Sequence, residues 1–125
     1  MTDSDSPRIL VVDDKPDMAE MVADDLCDRG YQGVAVSSGA EALHLLQTQR
    51  FDALGTDLRM PDVDGFALLR ASQSLDPSRP VILMTAFAAI DTAMRAFEVG
   101  AYQYMMKPFR LEVLAQVLAK ALTRH

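Results

Sequence analysis

The 125-residue sequence holds a single cysteine, Cys27. One cysteine cannot close an internal disulfide, so a reducing, cytoplasmic setting is expected. Its place in an apolar helical pattern predicts a small buried hydrophobe rather than a reactive thiol. No apolar run approaches the ~20 residues of a membrane span. The opening "MTDSDSPR" is polar and acidic, unlike a secretory signal, and residues 1–7 are expected to form a disordered lead. Twelve Lys and Arg are scattered among eighteen Asp and Glu, for a net charge of −6. With no basic run, direct nucleic-acid binding by this segment is not expected. The chain also has no internal repeat and no low-complexity tract.

What remains is the composition of one ordinary domain, 50% hydrophobic and 24% charged, expected to span residues 8–124. "RILVV", "YQGVAV", "FDALGTD", "VILMTA" and "AYQYMM" read as strands, several of them continuous apolar runs suited to burial on both faces. Helical spacing follows each. Pro16 opens the first helix and Gly30 closes it. Ser38 and Glu41 form the signature of a capping box before the second. Asp64-Gly65 leads into the third. Ile90, Ala93, Met94 and Phe97 carry the fourth, and Leu114, Val117, Leu118, Ala121 and Leu122 the fifth. Five strand–helix repeats predict an α/β fold, a flavodoxin-like doubly wound (βα)5 with a parallel sheet of order 2-1-3-4-5 and helices on both faces. Gly55, inside the third strand, is expected to mark a close backbone approach.

In such sheets ligands bind beyond the carboxyl ends of the strands. Asp13 and Asp14 follow the first strand, Asp57 ends the third, Thr85 nears the end of the fourth and Lys107 follows the fifth. The predicted order makes these four strands neighbours, so the five residues converge. Crowded carboxylates repel one another unless they share a cation. Their hard oxygens suit Mg²⁺, with Mn²⁺ as an alternative. A metal beside a free carboxylate, a hydroxyl and an ammonium fits phosphoryl transfer to aspartate. Asp57 would be the nucleophile, with Asp13, Asp14 and Asp57 at the metal and help from the main-chain carbonyl of Arg59. Lys107 would neutralise a phosphoryl oxygen, and Thr85 would donate a hydrogen bond to the acyl phosphate. Asp62 and Asp64 read as turn or cap residues, and Pro61 and Gly65 as turn geometry.

With "VVDD", "TDLRMPDVDG", "ILMTA" and "GAYQYMMKPF" in this order and spacing, the chain from Arg8 to about Arg124 resembles the receiver domain of bacterial two-component response regulators. The resemblance implies a phosphorylation-dependent signalling switch rather than a metabolic enzyme. It implies a histidine kinase or phosphotransfer protein as phosphodonor, assistance by the receiver to its own phosphorylation and dephosphorylation, and Thr85 and Tyr104 as the switch pair. It further implies a cis Lys107-Pro108 bond and a responsive face built from the fourth helix, fifth strand and fifth helix.

"TAFAAIDTAMRAFEVGAYQYMMKPF" is similar to receivers of enhancer-binding transcriptional activators, which points to a transcriptional output. Ala88 and Ala89 stand where a glycine and an aspartate are common in those relatives, and Met106 where a polar residue is. Loss of a capping acid should weaken the first turn of the fourth helix by about 1 kcal/mol. An exposed Met106 would add apolar contact area, so homodimerisation or effector docking is expected there. An end just after the fifth helix is compatible with a single-domain receiver or with a piece of a longer protein.

Three other readings compete with this one. A Mg²⁺-dependent phosphohydrolase would want an acid two residues after its aspartyl nucleophile, where Arg59 stands. A flavodoxin-like cofactor binder would want a Ser, Thr or Gly-rich loop after the first strand, where "DDKPD" stands. A phosphorylation-incompetent, receiver-like interaction scaffold remains the alternative, because Gly55 lies in the strand carrying Asp57.

Overall fold

The computed structural model describes residues 6–86 and 89–123. Ten elements alternate: β1 (Arg8–Val12), α1 (Pro16–Asp28), β2 (Gln32–Val36), α2 (Gly39–Thr48), β3 (Ala53–Asp57), α3 (Gly65–Leu75), β4 (Val81–Thr85), α4 (Ile90–Val99), β5 (Gln103–Met106) and α5 (Leu111–Leu122). The strands form one parallel sheet in the order β2-β1-β3-β4-β5, as the alternation predicted.

Alternation of side chains along each central strand divides the core in two. Leu10, Val12, Leu54 and Leu83 face the side covered by α2 and α3. Ile9, Val11, Ala53, Ile82 and Met84 face α1 and α5. The β4 residues from Val81 to Thr85 are all buried, which is why "VILMT" reads as an unbroken apolar run closed by one hydroxyl. Edge strands β2 and β5 are less covered. Among the described residues no helix is long and apolar enough to cross a membrane.

Helix starts follow local chemistry. Pro16 occupies the first turn of α1. Ser38 caps α2, its hydroxyl oxygen accepting from the Glu41 amide at 3.1 Å. Asp64 caps α3 by accepting from the Ala67 amide at 2.9 Å. Ala89 stands at the cap of α4 and supplies no side-chain acceptor, as its methyl dictates. Gly30 and Gly100 take positive φ just past α1 and α4.

Four sequence readings need correction or placement. Cys27 is exposed, not buried. It lies on the flank of the α1 stripe formed by Ala19, Val22, Ala23 and Leu26, against the backbone of edge strand β2, where the Gly33 amide approaches its Sγ at 3.4 Å. Gly55 marks no backbone approach; the nearest atom to an added Cβ is the flexible Met84 Cε at 3.4 Å. On α4, Ile90, Met94 and Phe97 are exposed, Val99 packs partly against the core, and only Ala96 is buried. Finally, Phe87 and Ala88, most of the expected lead (residues 1–5) and residues 124–125 lie outside the described residues.

A close backbone approach does occur at Gly33, where a Cβ would lie 2.5 Å from the Ala23 carbonyl oxygen. Helix α1 therefore seats directly on β2. Gly33→Ala should lower stability by about 1–3 kcal/mol, because backbone rather than a side chain must move. Urea unfolding checks this; an unchanged midpoint would show that the helix can lift without cost.

Candidate functional site

Parallel register carries the candidate residues to one end of the sheet. Val12 pairs with Thr56, so Asp13 and Asp57 each stand one step further along neighbouring strands. Asp57 pairs with Met84, which places Thr85 one step beyond. Thr85 pairs with Met106, and the Lys107 amide then donates to the Thr85 carbonyl at 2.7 Å. Arg59 lies in the loop after β3, and Asp14 on the exposed rim beside Asp13. The sheet thus brings together Asp13, Asp14, Asp57, Thr85 and Lys107, as read from the sequence.

Carboxylate oxygens of Asp13, Asp14 and Asp57 lie within 4.8 Å of one another. Asp13 is 3% exposed and has both oxygens engaged. Its Oδ1 accepts from the Lys15 amide at 3.0 Å, and its Oδ2 from Lys107 Nζ at 2.5 Å. Lys107 Nζ also reaches Asp57 Oδ2 at 3.4 Å, so one ammonium bridges two acids. The Lys15 contact was not anticipated, although an aspartate bonding the amide two residues on is ordinary turn chemistry.

Burial pushes the Asp57 carboxyl up; the Lys107 charge pulls it back and the Asp13 charge pushes it up again, leaving it above the usual carboxylate range. Burial pulls Lys107 down, but its bonds and charge attraction to Asp13 and Asp57 outweigh this and raise it. The pair is therefore an ammonium held by acids, one of which is reluctant to ionise. Hard oxygen donors at this spacing suit a small divalent cation such as Mg²⁺ or Mn²⁺.

Around this centre, Thr85 is buried at the end of β4. Tyr104 on β5 is half-buried; burial raises its phenol and the Arg59 guanidinium pulls it back. The Lys107-Pro108 bond is cis, as the resemblance implied. Asp62 and Asp64 serve as caps. Asp64 caps its own helix, whereas Asp62 reaches across to α2, accepting from the Ala40 amide at 3.1 Å and the Ser38 hydroxyl at 3.3 Å.

An open parallel (βα)5 sheet of order 2-1-3-4-5, with an acid cluster and a bridging lysine at its carboxyl end, defines a doubly wound α/β domain with a candidate divalent-cation site. Comparison narrows the class. The family model described as "Response regulator receiver domain" matches residues 9–119, and the chain belongs to that family. It is 37% identical to the regulatory protein AtoC of Escherichia coli over 92% of this chain and 25% of AtoC. It is also 37% identical to the transcriptional regulatory protein ZraR of E. coli over 94% of this chain and 27% of ZraR. The chain therefore spans about a quarter of the length of the curated relatives it matches. Among solved structures it resembles the chemotaxis protein CheY4 of Vibrio cholerae, at 31% identity and TM-score 0.87 over 94% of this chain and 99% of that one. It likewise resembles the HemR receiver domain of Leptospira biflexa, at 30% identity and TM-score 0.88 over 96% and 97%. Similarity to regulators of transcription agrees with the resemblance carried by the "TAFAAI" segment.

A raised Asp57 carboxyl fixes the sign of one pH effect. A group whose pKa rises on folding favours the folded state below its unfolded value and loses that contribution as pH climbs through the folded value. In chelator, the wild-type protein should lose stability over this acid window, and Asp57→Asn should flatten that part of the profile and melt higher at neutral pH. Urea titrations of both proteins across the window check this; a steeper decline in Asp57→Asn would contradict it.

Proposed function

We propose that this chain accepts a phosphoryl group on Asp57 from a phosphohistidine of a histidine kinase or phosphotransfer protein, in the cytoplasm and with Mg²⁺. The observation that supports this best is the convergence of Asp13, Asp14 and Asp57 with Lys107 bridging two of them. Asp13, Asp14 and Asp57, with the Arg59 main-chain carbonyl, would hold the metal. When bound, the ion neutralises charge on the phosphoryl oxygens and on Asp57.

In transfer, a carboxylate oxygen of Asp57 forms the new bond to phosphorus as the bond to the donor imidazole nitrogen breaks, and the electron pair leaves with the imidazole. The Asp57 carboxyl must be ionised to attack, and Lys107 at 3.4 Å favours that form. Lys107 can then turn its ammonium to a phosphoryl oxygen. Thr85 stands one residue beyond the strand position paired with Asp57, and its hydroxyl would donate to the same group. Catalysis here is positioning and charge stabilisation rather than acid–base work. The acceptor switches state and does not turn over a metabolite.

Phosphorylation would be read out through Thr85 and Tyr104 to the face of α4, β5 and α5. That face carries the exposed Ile90, Met94, Phe97 and Met106, and a groove of about 300 Å³ lined by Ala89, Ile90, Ala93, Phe97, Tyr104 and Met106, among others. Apolar side chains clustered on a helix with a single buried residue suit a second copy of the chain or an effector domain. The similarity to transcriptional regulators favours control of transcription as the output.

Incubation with Mg²⁺ and acetyl phosphate, followed by intact-mass measurement, tests the acceptor reading. A gain of one phosphoryl group is expected, absent in Asp57→Asn and in chelator; no gain under any condition would favour the interaction scaffold. For the responsive face, sedimentation of Met106→Asp should show weaker association than wild type when a phosphoryl mimic is bound. Equal association with and without the mimic would remove that face from the mechanism.

A further inference from the structure

The loop between β3 and α3 is closed at its base and moored at its tip. At the base the Gly65 amide donates to the Leu58 carbonyl at 2.8 Å. The two ends approach so closely that a Cβ on Gly65 would lie 2.5 Å from the Asp57 carbonyl oxygen. At the tip, Asp62 Oδ2 accepts from the Ala40 amide at 3.1 Å and from the Ser38 hydroxyl at 3.3 Å. Backbone also meets backbone there, since a Cβ on Gly39 would lie 1.9 Å from the Val63 carbonyl oxygen. The first turn of α2 is thus capped twice, by its own Ser38 and by an acid from another loop.

Arg59 lies inside this closed loop. We propose that Asp62 is a positioning residue of the metal site: by mooring the 58–64 loop to the start of α2, it sets where the Arg59 main-chain carbonyl stands relative to Asp13, Asp14 and Asp57. This rests on the reading of the site as a Mg²⁺-assisted phosphoryl acceptor. A main-chain ligand has no side chain to adjust, so its position is only as well defined as the loop that carries it. Asp13 and Asp57 are placed by the sheet; the loop has no such frame. The main-chain amides of Val63 and Ala40 hold the Asp62 carboxyl below the ordinary range, so it is ionised and its bonds to α2 are charge-assisted. The competing anchor is packing: Met60 and Val63 also lean on the core and would hold the loop without Asp62 if they suffice.

Two measurements on the full chain separate these. Mg²⁺ binding is followed by calorimetry, and the rate of phosphorylation by acetyl phosphate is followed as a function of Mg²⁺. Asp62→Ala should raise the Mg²⁺ dissociation constant and half-saturation by about 5–10-fold, while the rate at saturating Mg²⁺ stays within about twofold, as for loss of an outer-shell support. Asp62→Asn, whose amide oxygen can accept the same two hydrogen bonds, should restore wild-type values. Asp62→Ala with unchanged Mg²⁺ affinity overturns the proposal in favour of packing. An equal loss in Asp62→Asn overturns it in favour of a pure charge effect. A wild-type protein that binds Mg²⁺ but takes no phosphoryl group overturns the acceptor reading and leaves the affinities to decide Asp62; one that binds no Mg²⁺ overturns both.

Discussion

Everything at the mouth of this sheet depends on one ammonium held between two carboxylates. Strand register forces Asp13 and Asp57 side by side, and Asp14 adds a third acid within 4.8 Å. At that spacing, with an effective dielectric of ~20, the Asp13–Asp57 pair costs about 3 kcal/mol, and the exposed Asp14 costs less because water screens it. Lys107 offsets part of this by lying 2.5 Å from Asp13 and 3.4 Å from Asp57. It cannot offset all of it, because three negative charges meet one positive. Burial is the main cause of the elevated Asp57 carboxyl, with Lys107 opposing it and the Asp13 charge adding to it. A fold that tolerates such a cluster leaves negative charge that a divalent cation would offset; on the proposed reading, an incoming phosphoryl group would bring further negative charge, to be met by that cation and Lys107.

The same tension links chemistry to surface. Lys107 follows β5 directly, and its amide bonds the Thr85 carbonyl at the end of β4. On the proposed reading, a shift of Lys107 toward a phosphoryl group would pull on the two strands that flank α4. That helix is suited to respond. It has no side-chain cap, it buries only Ala96, and it is clasped to α3 chiefly by Arg95 over the Phe66 ring at 4.7 Å and by Gln73 bonding the Gly100 carbonyl at 3.0 Å. Few buried apolar contacts mean low local stability, the property expected of an element that moves.

Much of this was legible in the sequence, and the boundary follows the physics. Strand and helix order could be read because periodicity and end signals such as Pro16, Gly30, Ser38 and Asp64 act over a few residues. Asp13, Asp14, Asp57, Thr85 and Lys107 could be placed together because a parallel sheet of fixed order leaves only one end for them. The direction in which the α4 stripe points could not be read, since Ile90, Met94 and Phe97 have the spacing of a core face yet lie outside it. Cys27 failed for a related reason: an edge strand has no neighbour to cover the flank of the helix above it. The Asp62 bond to α2 and the Gly33 approach to Ala23 join segments distant or unaligned in sequence, and only the assembled backbone reveals them.

The claim on which the rest turns is that Asp57, among eighteen acidic residues, is the group that becomes covalently modified. Trapping the acetyl-phosphate-treated protein with borohydride, which reduces an acyl phosphate to an alcohol, and mapping the altered residue by peptide mass tests this directly. Modification confined to Asp57 and abolished by chelator is the result expected. Modification at Asp13, Asp14 or any other carboxylate, with Asp57 intact, would contradict it.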